Sequence, residues 1–344
     1  MASNSALQYL VESKPEHGDV TAIADGIDWL RMPLPFSLEH INLWMLKDDA
    51  GFCIVDTGVD SKTSRDIWRN AIIETAMGDA VTRVIVTHLH PDHVGLAGWL
   101  CDVHGVELWM TREEYLLCRI LVADTGQPAP EEGLRFYRTA GFSEEQLTRY
   151  GDMFGMFGRV VSPLPQAYRR LCDGDELIVG GETWRVIIGR GHSPEHACLF
   201  NADRNIVISG DQILPTISSN VSVYPTEPYA NPLKDWLDSL RMLRTTLPDD
   251  VLVLPAHGKP FRGAHQRLEE LIKEHEDGLG KILESLDQPK RAVDIFDALF
   301  KARISDSNLI MATGESVAHL NYLVATGDIA REVDDVGVTR YART

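Results

Sequence analysis

Three imidazoles and a carboxylate crowd into the segment Thr87-His88-Leu89-His90-Pro91-Asp92-His93, directly after the apolar stretch Val84-Ile85-Val86. Polar groups this costly at the end of a buried strand point to metal ligation, because neutral imidazole nitrogen and carboxylate oxygen are what a zinc-class divalent ion takes. Side chains alternate along an extended segment, so His88 and His90 project the same way. Asp92 and His93 follow where the chain turns and address a second, adjacent position. Three further apolar runs end in a ligand type beside small residues: one reaches His192 through Gly191, one reaches Asp211 through Gly210, and one reaches His257 through Ala256. Each has the length and β-branched content of a buried strand, and sheets of this kind gather ligands where their strands end. Four strand ends agree on one site.

The elements needed to position these groups follow from the same pattern. His-x-His-x-Asp-His, Gly191-His192-Ser193-Pro194, Ser209-Gly210-Asp211 and Pro255-Ala256-His257-Gly258 occur in this order, preceded by Asp56-Thr57-Gly58. Together they resemble the metallo-β-lactamase superfamily, most nearly its glyoxalase II-like hydrolase branch with a C-terminal winged-helix-like extension. The resemblance implies an α+β fold, a four-layer αββα sandwich with the site along one edge of two sheets. It further implies one cation held by His88, His90 and His192, a second held by Asp92, His93 and His257, and Asp211 bridging both. Asp56 would support the ligands. Zinc is the expected ion, with iron and manganese as alternatives suited to the same donors.

Residues 1–262 are expected to form the catalytic unit and 263–344 a small helical, winged appendage. Between His93 and His192 lie 98 residues, and the excess over a compact sandwich is expected as a helical lid over about 111–170. Thr111 to Glu114 and Ser143 to Gln146 both have the capping-box pattern of a helix start. Residues 31–36 are expected to be a loop overhanging the site, which makes Phe36, Glu39 and His40 candidates for substrate contact. Tyr224, in a proline-rich loop after Asp211, is a candidate donor to a substrate oxygen. Beyond His257, amphipathic spacing predicts helices over about 266–286, 293–300 and 315–324. A turn at Asp334 to Gly337 then joins two strands. His319 is expected to be a packed histidine.

The net charge of −18 in 344 residues disfavours nucleic acid and anionic membrane as partners, and the acidic residues of the C-terminal hairpin argue against a DNA-binding wing. That unit is expected to be structural or a subunit interface, as in a homodimer. Arg159, Arg169 and Arg170 are expected to be solvated surface. Five cysteines without Cys-x-x-Cys spacing suit reduced, buried residues of a cytoplasmic protein, and the N-terminal stretch lacks the apolar run of a signal peptide. The function expected is a dinuclear metal-dependent hydrolase of an activated carbonyl (a thioester, ester or lactone) that uses a metal-bridging hydroxide as nucleophile. Asp92 would orient that nucleophile and pass a proton to the leaving group. The alternative from the same superfamily is a phosphodiesterase or ribonuclease, which the charge disfavours; a non-catalytic metal-anchored binding protein ranks below both.

Overall fold

The computed structural model describes residues 7–35, 38–74 and 80–344. A two-residue strand, β1 (Gln8–Tyr9), precedes the meander β2 (Val20–Ala24), β3 (Ile27–Pro33), β4 (His40–Asp48) and β5 (Gly51–Val55). Helix α1 (Lys62–Glu74) leads to β6 (Val81–Ile85), and α2 (Pro91–Val94) and α3 (Ala97–His104) lead to β7 (Leu108–Thr111). Helices α4 (Arg112–Ala123), α5 (Glu131–Ala140) and α6 (Glu144–Met153) come before β8 (Arg169–Leu171). Then follow β9 (Glu176–Val179), β10 (Glu182–Gly189), β11 (His196–Asn201), β12 (Ile206–Gly210), α7 (Pro232–Thr246), β13 (Leu252–Pro255) and β14 (Phe261–Arg262). The chain continues through α8 (Ala264–Ser285), α9 (Phe296–Leu299), α10 (Leu309–Thr326) and a hairpin of β15 (Ile329–Val333) and β16 (Thr339–Arg343).

Two seven-stranded sheets result, ordered β2-β3-β4-β5-β6-β7-β8 and β1-β14-β13-β12-β11-β10-β9. Period-two alternation sends successive residues to opposite faces, and the packing clusters follow it. Cys53, Val55, Val186 and Ile188 fill the space between the sheets, with Trp29 stacked on Trp44. Ile54 on the other face of the first sheet packs against Trp68 of α1 and Leu100 of α3. Ile187 on the outer face of the second sheet joins Trp236 of α7 and Leu268 of α8. This is the four-layer αββα sandwich. Backbone bonds from Ala197 N–H to Thr87 O (2.9 Å) and from Asn42 N–H to Ala256 O (2.7 Å) stitch the two sheets together along one rim.

The three helices after β7 straddle the sandwich: Tyr115 and Cys118 of α4 belong to the layer over the first sheet, while Phe136, Tyr137, Leu147 and Tyr150 of α5 and α6 belong to the layer over the second. Ser143 does form the expected capping box with Gln146. Thr111 does not: its side chain makes no cap bond, for a reason that lies at the site. The loop expected at 31–36 also starts later, because β3 continues through Pro33 paired with His40. The helix over 293–300 shrinks to a 3-10 turn and the single turn of α9, while α10 begins earlier than Glu315. All five cysteines are free, and only Cys172 is not buried.

His319 is packed, as expected. Its Nδ1 donates to Glu315 O (2.8 Å), and its Nε2 faces His275 Nδ1 of α8 at 3.3 Å. Burial pushes His275 down to about 3 and His319 to about 4. A histidine whose folded pKa lies below its unfolded value stabilises the fold above the unfolded value, and that stability is lost as pH falls towards the folded one. Each should therefore cost about 2 kcal/mol by pH 5. Urea unfolding at pH 7.5 and pH 5 checks this: His275→Leu should lose visibly less stability across the interval than the unaltered chain.

Candidate metal centre

All seven expected ligands meet at the stitched rim. Donor atoms of His88, His90, His192 and Asp211 lie within 4.8 Å of one another, as do those of Asp92, His93 and His257. Asp211 faces both groups with different oxygens. Its Oδ2 is 3.3 Å from His192 Nε2 and 3.9 Å from His88 Nε2. Its Oδ1 is 3.4 Å from His257 Nε2 and 3.5 Å from His93 Nε2. Asp92 Oδ2 stands 3.4 Å from His257 Nε2 and 3.7 Å from His93 Nε2. Ligand bonds of about 2.1 Å place neighbouring donors roughly 3.0–3.4 Å apart in octahedral or tetrahedral sets, close to these separations.

The ring nitrogens turned away from the centre are fixed. His192 Nδ1 donates to Asn220 O and His257 Nδ1 to His40 O, both at 2.7 Å. His93 Nδ1 donates to Asp56 Oδ2 at 2.8 Å. Thr87 Oγ1 gives its proton to Asp56 Oδ2 (2.8 Å), which leaves it to accept from His88 Nδ1 at 3.1 Å. With their protons committed outward, these imidazoles present bare lone pairs inward, the tautomer a metal requires. His93, His192 and His257 Nε2 and Asp211 Oδ1 are buried with no hydrogen-bond partner among the described residues. Buried polar atoms are rarely left so. Four convergent orphans are the fit expected of cation ligands.

Electrostatics agree. Burial, reinforced by neighbouring imidazoles, holds His88 far below its ordinary value and His90 at about 3, so both are neutral. Burial opposes charge on His93 too, but Asp56, Asp211 and Asp92 outweigh it and raise that group well above the usual histidine range. Burial alone would raise Asp92 and Asp211; His93 and His257 instead hold both below the carboxylate range. The centre thus has negative charge that protons neutralise when no cation does.

Several supporting residues escaped sequence reasoning. Asn42 Nδ2 donates to Pro255 O (2.8 Å) and Gly258 O (3.0 Å), fixing the turn that carries His257. His196, the second histidine of Gly-His-Ser-Pro-Glu-His, accepts the Asp211 N–H at Nε2 (3.0 Å) and lies tilted against His88. Ser219 Oγ donates to Asp211 O at 2.5 Å. Gly191, with φ of +103°, lies so close to α7 that a Cβ would come within 2.5 Å of Trp236. Only glycine fits there. Helices α8 and α10 clamp the segment after Asp211: Arg267 donates to Leu214 O (2.6 Å) and Ile217 O (2.8 Å). Glu315 Oε2 accepts from Asn220 Nδ2 at 2.8 Å.

The substrate-contact candidates fare differently. Phe36 lies outside the described residues. The Glu39 carboxylate is engaged with Arg31 (2.9 Å) and Lys14 (3.3 Å). His40 is buried and reaches the centre through its carbonyl on His257. Tyr224 is half-exposed, beside Ser222 two residues beyond Asn220.

Residues 37–257 match the family model described as metallo-beta-lactamase superfamily, and residues 279–344 match the metallo-beta-lactamase-like C-terminal domain. A crystal structure of a beta-lactamase domain protein from Burkholderia ambifaria superposes with a TM-score of 0.90 at 40% identity, covering 98% of each chain. The probable metallo-hydrolase YqjP of Bacillus subtilis (strain 168) is 25% identical over 86% of this chain and 91% of its own. The acyl-coenzyme A thioesterase MBLAC2 of Homo sapiens is 24% identical over 56% of this chain and 65% of its own. Among the described residues no helix is long and apolar enough to cross a membrane.

Proposed function

Since the chain belongs to the metallo-beta-lactamase superfamily and is a metallo-hydrolase, we propose that it hydrolyses an activated carbonyl, a thioester before an ester or lactone, at a centre holding two divalent cations. Residues 1–262 form the catalytic unit in this reading, and 263–344 an appended helical unit that braces it. The observation that carries the two-cation assignment is Asp211, whose two oxygens face two separate ligand groups while four inward donor atoms have no hydrogen-bond partner among the described residues. Likeness to a thioesterase and the charge of −18 favour a carbonyl over a phosphodiester substrate.

When bound, the cations supply a water acidified towards neutral pH and polarise the substrate oxygen. The chain's own residues do the rest. His88, His90 and His192 would hold one cation and Asp92, His93 and His257 the other, with Asp211 between the two groups. Asp92, less buried than the histidines around it and ionised through His93 and His257, is placed to accept a proton from the attacking water and return it to the leaving thiolate or alkoxide. Tyr224, in the loop after Asp211, is the candidate donor to a substrate oxygen. Phe36 and His40 are the further candidates for substrate contact in this reading.

Turnover of acyl-coenzyme A, p-nitrophenyl acetate, a lactone and bis-p-nitrophenyl phosphate, before and after chelator treatment, tests the reading. The thioester should be cleaved fastest, and chelation should remove activity that zinc, iron or manganese restores. Faster phosphodiester turnover would reverse the order of the two readings.

A further inference from the structure

Glu114, in the first turn of α4, is completely buried yet contributes nothing to capping its own helix. Its Oε2 accepts the N–H of Leu89 at 2.9 Å, and its Oε1 accepts the N–H of Glu195 at 2.7 Å. Leu89 lies between His88 and His90; Glu195 lies three residues after His192. The clasp is reciprocal. Glu195 sends its own Oε2 back to the Glu113 N–H (3.0 Å), and its carbonyl accepts from Thr111 Oγ1 (2.8 Å). Arg190 Nη1 closes the same turn on Pro194 O at 3.0 Å.

We infer that Glu114 is a positioning residue which joins the His88–His90 segment to the His192 segment, so that three imidazoles from two distant loops are set as one face for a single cation. A buried carboxylate is an expensive way to satisfy two N–H groups, and its rigid fork fixes the separation of the two loops it holds. Partners one step removed from the ligands typically change metal affinity by about 10- to 100-fold when lost. The geometry also makes α4, and with it the start of the inserted helices, part of the metal centre.

The inference rests on the two-cation reading, and the test separates the two. Glu114→Gln keeps the volume but has one acceptor oxygen, so its amide N–H₂ faces one of the two N–H donors and releases that loop. Cobalt(II) titration of the metal-free protein, followed by visible absorption and by chelator competition, should show affinity weakened by about 10- to 100-fold at one position and a changed ligand-field spectrum. A structural role alone would lower the melting temperature and leave both readouts unchanged. That result would overturn the inference while leaving the two-cation reading intact. Failure of the unaltered chain to bind cobalt would overturn both. Should Glu114→Gln not fold, Thr111→Val, which removes only the bond to Glu195 O, decides by the same titration: weakened cobalt binding supports the clasp, and unaltered binding overturns it.

Discussion

Asp211→Ala should lower thioester turnover by at least about 10³-fold, more than removal of a single transition-state donor typically costs, and should leave the purified chain short of two cations. Asp211 faces both ligand groups, with Oδ2 towards His192 and Oδ1 towards His257. Its place is fixed independently of any ion, because the Asp211 N–H bonds His196 Nε2 and its carbonyl accepts from Ser219 Oγ. Truncation therefore removes a bridge and a negative charge without displacing the backbone. Two divalent ions would then be balanced by Asp92 alone among the ligands. Elemental analysis after reconstitution, beside steady-state kinetics, checks both parts. Turnover within tenfold of the unaltered enzyme, with two ions retained, would refute the bridging role.

Arg267→Ala should be the most destabilising change among the supporting residues. The guanidinium is buried in α8 and donates to Leu214 O and Ile217 O. Loss of both bonds leaves two inward carbonyls unpaired, at about 1–3 kcal/mol each. The exposed Arg244, paired with Glu269, makes the comparison: its truncation should stay within roughly 0.5 kcal/mol. Urea unfolding of the metal-free chains measures the difference. The loss should reach the centre too, since Arg267 anchors the segment that ends in Ser219 and Asn220, the partners of Asp211 and His192. Weaker cation binding by Arg267→Ala, with Arg244→Ala unaffected, is the expected functional result. The helices beyond His257 would then be a brace for the centre rather than a detachable module.

Proton placement explains why the ligand histidines need such partners. An imidazole that has not committed its Nδ1 proton can flip or exchange tautomers, and each uncommitted ring weakens the set. Asp56 commits His93 directly and His88 through Thr87. It does so from a left-handed backbone conformation (φ 63°) that aspartate tolerates better than most residues.

The candidate ligand set was legible in the sequence residue by residue, and the layered fold through the family resemblance that those motifs carry. The candidate ligands are written in local terms: a buried strand is a short apolar run, and a metal ligand is a residue type that has no business at its buried end. His88, His90, Asp92, His93, His192, Asp211 and His257 are found from their own strand ends, without knowing which strands are neighbours. What holds them follows from contacts between segments far apart in the chain. The carbonyls of His40 and Asn220 orient two ligands, and a carbonyl is present at every residue, so no side-chain pattern announces it. Thr111 and Glu114 show the same limit from the other side. Locally they read as a helix cap, but the buried N–H groups of Leu89 and Glu195 that Glu114 serves lie 25 and 81 positions away. Once the fold brings those donors within reach, leaving them unpaired costs more than leaving an accessible helix end to a substitute cap, and the carboxylate goes to them.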